Sequence, residues 1–269
     1  MKLQTFVILA VVLVVVTFFI DLRVAIPLLL LAPYWLGPVA VRFLSRYSRA
    51  SQLTPFRPGV DVAPEPARIY LAGAENTLRG LGFTPLGCWR QSGFASNVTA
   101  WLVVLDNAAA GTAAMTTAIQ TTGAPGAGRL VTFAELWTRL DTERSLTTNN
   151  SPQPNAFDPV PGRTVERFPS LWDLGRLCRA HEALVRRMGT PQPGGPLAGR
   201  PTAEVVQEAM TREMTAQVAA GFLFIDGDSY RPTWKGAALM SWRLLWPAKA
   251  LREARVRRRA EALLAELGV

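Results

Sequence analysis

The sequence of 269 residues contains one histidine, His181, and two cysteines, Cys88 and Cys178. So few cysteines exclude a disulfide-dense secreted module. A single histidine argues against a histidine-ligated metal centre and against a histidine-based catalytic triad. Charged residues are also scarce, at 18% of the chain, whereas 49% of the residues are apolar. This balance is typical of a folded chain with a sizeable core and excludes a disordered polyelectrolyte.

Acidic residues are fewer than basic ones, because 20 Asp and Glu stand against 29 Lys and Arg, which gives a net charge of +9. Arginine accounts for 26 of the basic residues and lysine for 3. Arginine is the better side chain for desolvated ion pairs at protein interfaces. The composition therefore favours a role in protein contact.

Two long uncharged stretches lie near the N-terminus, at 3–20 and 24–41, and Asp21 and Arg23 lie between them. Each stretch is long enough to cross a bilayer as a helix. Four arginines follow within about 16 residues, and the positive-inside rule then places the main domain on the cytoplasmic side. They are Arg42, Arg46, Arg49 and Arg57. The sequence predicts an N-terminal membrane anchor of one or two transmembrane helices within 1–45, in a bacterial cytoplasmic (inner) membrane.

After a linker at 46–66, the region 67–168 is expected to contain one helix and an antiparallel sheet. Apolar residues from Ala67 to Leu81 recur at spacings of three and four, as in a helix. Short β-type runs separated by turn residues then predict a meander of about five strands. These runs are Phe83–Gln91, Val98–Asp106, Thr112–Thr122, Leu130–Leu140 and Ser145–Thr148. We expect one face of the sheet to be packed by Trp101, Val103, Phe133 and Trp137.

The region 169–269 is expected to be helical, with a β-hairpin at 221–234 and a basic C-terminal helix. Ser170 and Asp173 have the spacing of a capping box before an amphipathic helix that ends at Gly189. A further helix is predicted from Pro201 to Ala220, and the Asp-Gly pair at 226–227 is a strong hairpin signal. The fold class is therefore α+β, with transmembrane segments preceding a cytoplasmic domain.

Few residues are candidates for chemistry. His181 lies three residues after Cys178 on one predicted helix, which supplies too few ligands for a tetrahedral metal site, so we expect a packed core position. The glycine-rich stretch from Gly123 to Gly128 lacks the Lys-Ser/Thr ending of a phosphate-binding loop and is expected to be a turn. Asp141 and Glu143 lie beside an arginine in a predicted turn. We expect no catalytic residue, no metal and no cofactor.

The segment from Arg231 to Arg259 is the best candidate for an interface with a partner or with lipid. Its tryptophans favour a protein interface or a headgroup layer, and its basic run suits acidic partner subunits or anionic lipid. The candidate residues are Trp234, Trp242, Trp246, Lys249, Arg252, Arg255, Arg257, Arg258 and Arg259. Whether they meet lipid or protein stays open.

Two resemblances add to this interpretation. Residues 204–237, ending in Gly-Phe-Leu-Phe-Ile-Asp-Gly-Asp-Ser-Tyr-Arg-Pro-Thr-Trp-Lys-Gly-Ala, resemble the recognition helix, wing hairpin and following helix of winged-helix domains. The acidic residues of that helix suit phosphates poorly, so the resemblance implies shape without nucleic-acid binding. Over more of the chain, the segments Leu81–Trp89, Leu146–Asn150, Leu177–Glu182 and Tyr230–Ala237 are similar to uncharacterised bacterial membrane-anchored proteins. That family implies topology only.

The sequence predicts a non-catalytic, membrane-anchored accessory or scaffold subunit that stabilises a multi-subunit membrane complex. Photosynthetic and respiratory assemblies are natural hosts for subunits without cofactors. Its expected partners are the other subunits of that complex and the lipid bilayer. Three alternatives stay open. They are a membrane-tethered winged-helix regulator that binds nucleic acid, a membrane-bound enzyme with a pocket containing His181 or paired carboxylates, and a free-standing protein of the lipid surface.

Overall fold

The computed structural model describes residues 22–50, 52–57, 61, 63–122, 128–153, 157–197 and 199–269. The helices in these ranges are α1 (Leu22–Leu44), α2 (Glu65–Gly80), α3 (Leu174–Met188), α4 (Thr202–Ala219), α5 (Trp234–Leu244) and α6 (Ala248–Leu267). The strands are β1 (Tyr47–Ser48), β2 (Leu53–Pro55), β3 (Thr84–Ser92), β4 (Val98–Asn107), β5 (Thr112–Thr121), β6 (Arg129–Arg139), β7 (Ser145–Asn149), β8 (Arg163–Arg167), β9 (Leu223–Asp226) and β10 (Ser229–Pro232). The α+β class is therefore confirmed.

A seven-stranded sheet forms the centre of the described part of the chain, in the order β2-β3-β4-β5-β6-β7-β8. Neighbouring strands are antiparallel except β7 and β8, which are parallel. The meander predicted from Phe83 to Thr148 is confirmed as β3 to β7, with strand ends within one or two residues of those expected. Strand β8 follows the last strand of the predicted meander, which ended at Thr148, and was not itself predicted.

The expectation that four apolar residues of β4 and β6 pack one face of this sheet is wrong. Val103 on β4 lies opposite Thr116 on β5, and Thr116 lies opposite Ala134 on β6. Side chains alternate between the faces, so Phe133 and Trp137 point away from the face that carries Val103. Both faces of the sheet are covered by helices, and apolar residues are therefore needed on both.

The larger core lies between the first face and helices α2, α3 and α6. Helix α2 is amphipathic, and its buried residues Ala67, Leu71, Ala74 and Leu78 follow the predicted helical spacing. They pack with Leu105 and Leu136 of the sheet, among other buried residues. Fully burying a leucine side chain contributes roughly 1.5–3 kcal/mol to folding, so this cluster is the main source of stability for the sheet.

Helix α3 begins one turn later than the sequence pattern indicated. Asp173 is the N-cap, and its carboxylate accepts a hydrogen bond from the amide of Arg176 at 3.1 Å. The predicted capping box starting at Ser170 is wrong, because the Asp side chain caps the helix itself. Seven buried residues of α3 then face the sheet, among them His181.

Helix α4 covers part of the second face. Val205 and Val206 of α4 are buried with Val104 and Ala113 of the sheet, and Leu197 precedes the helix in the same cluster. Helix α4 leads into the hairpin of β9 and β10, which confirms the hairpin predicted at 221–234. Strand β1 pairs with β10, and the three strands form a small second sheet in the described part of the chain.

Helices α1 and α5 pack against one another. A Cβ atom added to Gly37 of α1 would clash with the Ser241 hydroxyl oxygen of α5, so the missing side chain permits this approach without a shift of Ser241. The indole nitrogen of Trp242 on α5 donates a hydrogen bond to the carbonyl oxygen of Tyr34 at 2.6 Å. One side of α1 is therefore used for packing onto the folded body.

The predicted membrane anchor is contradicted. Its first segment, 3–20, lies outside the described residues, whereas its second, 24–41, lies within α1. Among the described residues, no helix combines the length and apolar character needed to cross a membrane. The uncharged run of the second segment instead serves the contact with α5. The predicted inner-membrane localisation and transmembrane topology are wrong for the same reason.

Candidate functional site

The three tryptophans predicted to lie at an interface are all exposed. Trp234 opens α5, Trp242 lies near the end of that helix, and Trp246 lies in the connection to α6. Their exposed fractions are 56%, 51% and 76%. Most tryptophans in folded proteins bury far more of their surface, so three exposed indoles on one short segment are an uncommon arrangement.

A second row of exposed apolar residues lies on α1, where the sequence was interpreted as a membrane span. The side chains of Leu31, Trp35, Val39 and Phe43 are all exposed. They are four residues apart, which places them along one face of the helix. These side chains keep much of their surface exposed although α1 packs on α5 through Gly37 and the Tyr34 backbone.

The rows on α1 and α5 meet. The rings of Phe43 and Trp234 are in edge contact, with 5.9 Å between their centroids. At the other end of the helix pair, Trp242 is bonded to the α1 backbone one residue before Trp35. We call the surface formed by Trp35, Val39, Phe43, Trp234 and Trp242 the tryptophan face.

The tryptophan face is bordered by positive charge. Neither α1 nor α5 contains an aspartate or a glutamate. The Arg42 guanidinium lies over the Phe224 ring at 4.8 Å from its centroid, and it is 5.8 Å from Phe43 and 6.0 Å from Trp234. These cation–π contacts hold the charge against the aromatic residues. The helix pair therefore presents aromatic surface with a basic border.

The predicted basic run on α6 divides into paired and exposed residues. Arg259 binds the carboxylate of Glu166 on β8, with its Nε donating at 3.0 Å, and Lys249 lies 3.8 Å from Glu253 in the same helix. Arg252 is half-buried. Arg255, Arg257 and Arg258 are exposed, and no ion pair involves them in the described part of the chain. The structure thus brings Trp234 and Trp242 together with α1, and it uses Arg259 within the fold.

His181 is fully buried between α3 and the sheet. Its Nε2 lies 2.9 Å from the Thr138 hydroxyl, and its Nδ1 lies 3.0 Å from the Thr148 hydroxyl. Burial lowers the pKa of the imidazole to about 3. The expectation of a packed core position is confirmed, and within the described ranges no group of three or more His, Cys, Asp or Glu side chains could hold a metal ion.

The direction of each hydrogen bond at His181 follows from the neighbouring threonine hydroxyls. The Thr112 hydroxyl donates to the carbonyl oxygen of Ala110 at 3.3 Å, and it lies 2.7 Å from the Thr138 hydroxyl. A hydroxyl has a single proton, so Thr138 donates to Thr112 and accepts from Nε2–H of His181. Nδ1 is then the acceptor of the Thr148 proton. The neutral imidazole is therefore fully hydrogen-bonded.

The other motifs carry no assembled chemistry in the structure. Residues 123–127 of the glycine-rich stretch lie outside the described residues, and β5 and β6 flank them as expected. Asp141 accepts hydrogen bonds from the backbone amides of Glu143 and Arg144 and from the Arg144 side chain at 2.5 Å. The hydrogen bonds from Arg144 lower the pKa of Asp141 in this exposed turn. The turn is held by its own residues.

A cleft between α4 and the second face of the sheet was not expected from the sequence. Its volume is about 340 Å³, and its apolar wall comes from Met115, Phe133 and Trp137 of the sheet and from Val206 and Met210 of α4. The sequence did not indicate this cleft, because Phe133 and Trp137 were predicted to lie on the other face of the sheet. The alternation of side chains along β6 was the signal that could have revealed it, since it places Phe133 and Trp137 opposite to Ala134 and Leu136.

The polar part of this cleft is centred on Arg163 of β8. Its guanidinium donates to Glu135 at 3.0 Å, to Glu213 of α4 at 2.8 Å and to the Thr147 hydroxyl at 3.1 Å. Burial raises the pKa of the Glu135 carboxyl, Arg163 lowers it, and Glu213 raises it again. We call Glu135, Arg163 and Glu213 the inner triad.

A second group of charges lies on the α4 side of the cleft. Glu208 accepts hydrogen bonds from Arg200 at 2.7 Å and from Arg212 at 3.2 Å, and all three side chains are well exposed. Glu208 and Glu213 of α4 are therefore both engaged with arginines of this chain.

Comparisons of the chain with models of protein families, with curated proteins and with solved structures found no match.

Proposed function

We propose that this protein is a non-catalytic subunit that docks an apolar helix of another protein on its tryptophan face, and that it stabilises the assembly so formed. The observation that carries this proposal is the continuous exposed surface of Trp35, Val39, Phe43, Trp234 and Trp242 on two packed helices. Contiguous exposed apolar surface of this kind is typical of protein interaction sites. Tryptophan and arginine are also the residues most enriched among interface hot spots.

The chemistry of the partner follows from the border of the face. Helices α1 and α5 carry arginine and lysine but no acidic side chain, so a partner with flanking aspartate or glutamate gains favourable contacts. The row on α1 has a helical spacing, and an amphipathic helix laid beside it would bury its own apolar stripe. The expected occupant is therefore an apolar helix with acidic flanks.

The test is site-specific photo-cross-linking in the native cell. A photoreactive phenylalanine replaces Val39, which lies on the tryptophan face, or Ile69, an exposed aliphatic residue of α2 that serves as the matched control. The Val39 position is expected to capture one protein through an apolar helix flanked by acidic residues, and the Ile69 position should not capture it. Arg42→Glu is expected to lower the yield at Val39.

Three results would overturn the proposal. The first is equal capture of the same protein at Val39 and Ile69. The second is cross-linking to a basic or polar segment, and the third is capture of a second copy of this chain. Deleting the segment from Trp234 onward is a poor substitute for this test, because it would also remove α6, whose Ala260 is buried in the larger core.

A further inference from the structure

We propose that the cleft between α4 and the central sheet binds a small molecule with an apolar, aromatic-sized body and a cationic amine head. The site is separate from the tryptophan face, and the inference does not depend on the proposed function. Two features carry it: the shape and apolar wall of the cleft, and the charge arrangement of the inner triad.

The cleft has the properties of a small-molecule site. Its volume of about 340 Å³ lies within the usual range for ligand pockets, roughly 300–1,000 Å³. Aromatic and sulfur-containing side chains from β5, β6 and α4 form its wall, and the polar groups converge at one place. Such a combination favours a ligand with an apolar body and one polar head.

The inner triad has one positive group and two negative ones. Glu135 and Glu213 each bind Arg163 through a single carboxylate oxygen. In the described part of the chain, the second oxygen of each carboxylate has no protein hydrogen-bond donor. Neither oxygen is among the buried unpaired atoms of the described residues, so water reaches both. A primary ammonium group has three donors, and it would replace this water and supply the missing positive charge.

The outer charges do not reverse this preference. Glu208 with Arg200 and Arg212 forms a group of the opposite sign, but the side chains are 46% to 64% exposed. Water and salt screen such groups strongly. Within the inner triad, Glu135 and Arg163 are only 18% and 27% exposed, so their charges act in a less polar environment, whereas Glu213 at the edge is 39% exposed. The raised pKa of Glu135 agrees with a carboxylate whose burial is incompletely compensated.

The test uses three probes of the same shape: 4-phenylbutylamine, 4-phenylbutanol and 4-phenylbutyrate. Their affinities for the full chain are measured by titration calorimetry, with ligand-observed NMR for weak binding. The amine is expected to bind at least about tenfold more tightly than the alcohol or the carboxylate, since it alone pairs with both carboxylates.

Three variants test whether the amine binds in this cleft. Glu213→Gln removes one carboxylate at the edge of the cleft and is expected to reduce the affinity for the amine by about tenfold. The matched control is Glu204→Gln, an exposed residue of α4 that does not line the cleft, and it should change nothing. Ala209→Trp places a large ring at the cleft and should abolish binding of all three probes. Circular dichroism and thermal melting verify that each variant is folded.

The proposal is overturned by equal affinities for the three probes, by a preference for the carboxylate, or by no saturable binding of the amine. It is also overturned if folded Glu213→Gln binds the amine as the native chain does. Trp242→Ala, which alters the tryptophan face, should leave the affinity for the amine unchanged. A negative result with the amine would therefore not bear on the docking proposal, and a negative cross-linking result would not bear on the proposed amine site.

Discussion

Acidification should destabilise this protein through His181 over a defined pH range. The buried imidazole has a pKa of about 3, whereas an unfolded chain would have the ordinary value of 6.5. Below pH 6.5 the unfolded chain takes up a proton that the folded chain does not accept. The stability linked to His181 is therefore intact above pH 6.5, and it is lost progressively as the pH falls towards 3.

The magnitude follows from the difference between the two pKa values. Each pH unit in this range costs about 1.4 kcal/mol of unfolding free energy. From about pH 7.5 to about pH 4.5 the loss is therefore roughly 2–3 kcal/mol. Typical domains have an unfolding free energy of about 5–15 kcal/mol, so this loss is a substantial part of the total and should be easy to measure.

Urea denaturation of the native chain and of His181→Gln separates this contribution from that of the carboxylates. A glutamine amide can both donate and accept, so it can replace the bonds to Thr138 and Thr148. The native chain is expected to lose about 2–3 kcal/mol more than the variant over the same pH interval. Equal losses in the two proteins would refute the reasoning.

A direct titration serves if the variant does not fold. The chain has one histidine, so a sample labelled at histidine carbons gives one imidazole signal that needs no assignment. Its shift should stay constant from about pH 8 to about pH 4.5 in the folded protein, with the proton on Nε2. A midpoint near 6.5 would show that the imidazole is open to solvent, contrary to its two hydroxyl contacts.

Two further substitutions test the packing around the candidate sites. Asn150→Ala should reduce the free energy of unfolding by about 2–4 kcal/mol, because the Ala134 amide and the Leu171 carbonyl lose their side-chain partner. Urea titration measures this loss, and a value below about 1 kcal/mol would contradict the prediction. Arg259→Ala should reduce the free energy of unfolding by about 1 kcal/mol, since Glu166 loses its arginine partner. The control Arg258→Ala, at the exposed neighbouring position, should cost less than about 0.5 kcal/mol, and equal effects of the two in thermal melting would contradict the prediction.

Local patterns along the chain predict most of the helices and the strands of the meander. The turn residues between Phe83 and Thr148 are close in sequence to the strands they separate, and antiparallel neighbours need only short connections. The helical spacing of Leu71, Ala74 and Leu78 likewise reflects burial of one face. These elements are encoded within short windows, which is why their bounds agree with the structure.

The features that escaped prediction depend on residues far apart in the chain. Strand β8 has charged residues at both ends and pairs in parallel with β7, so its own sequence gives little strand signal. The ion pair of Arg259 with Glu166 joins positions 93 residues apart. The inner triad needs β6, β8 and α4 to be in place before its charges meet. None of these contacts leaves a local pattern to detect.

The uncharged segment 24–41 shows where composition alone misleads. A run of apolar residues is compatible with a bilayer or with packing against another helix, and the two differ only in what surrounds the segment. Here Gly37 meets Ser241, and Trp242 binds the Tyr34 carbonyl, so one side of the segment belongs to the protein body. Its other side contributes Trp35, Val39 and Phe43 to the exposed face.

The tryptophan face and the cleft are departures from ordinary folding preferences in opposite directions. The first leaves large apolar side chains in water, and the second takes the Glu135 carboxylate and the Arg163 guanidinium largely out of it. Each arrangement has an unfavourable hydration term that a bound partner would offset: an apolar helix in the first case and an ammonium group in the second. Because the two terms arise from different groups on different elements, occupancy of one site should leave the affinity of the other unchanged. A cross-link yield at Val39 that depended on the amine probe would show instead that α4 couples the two sites.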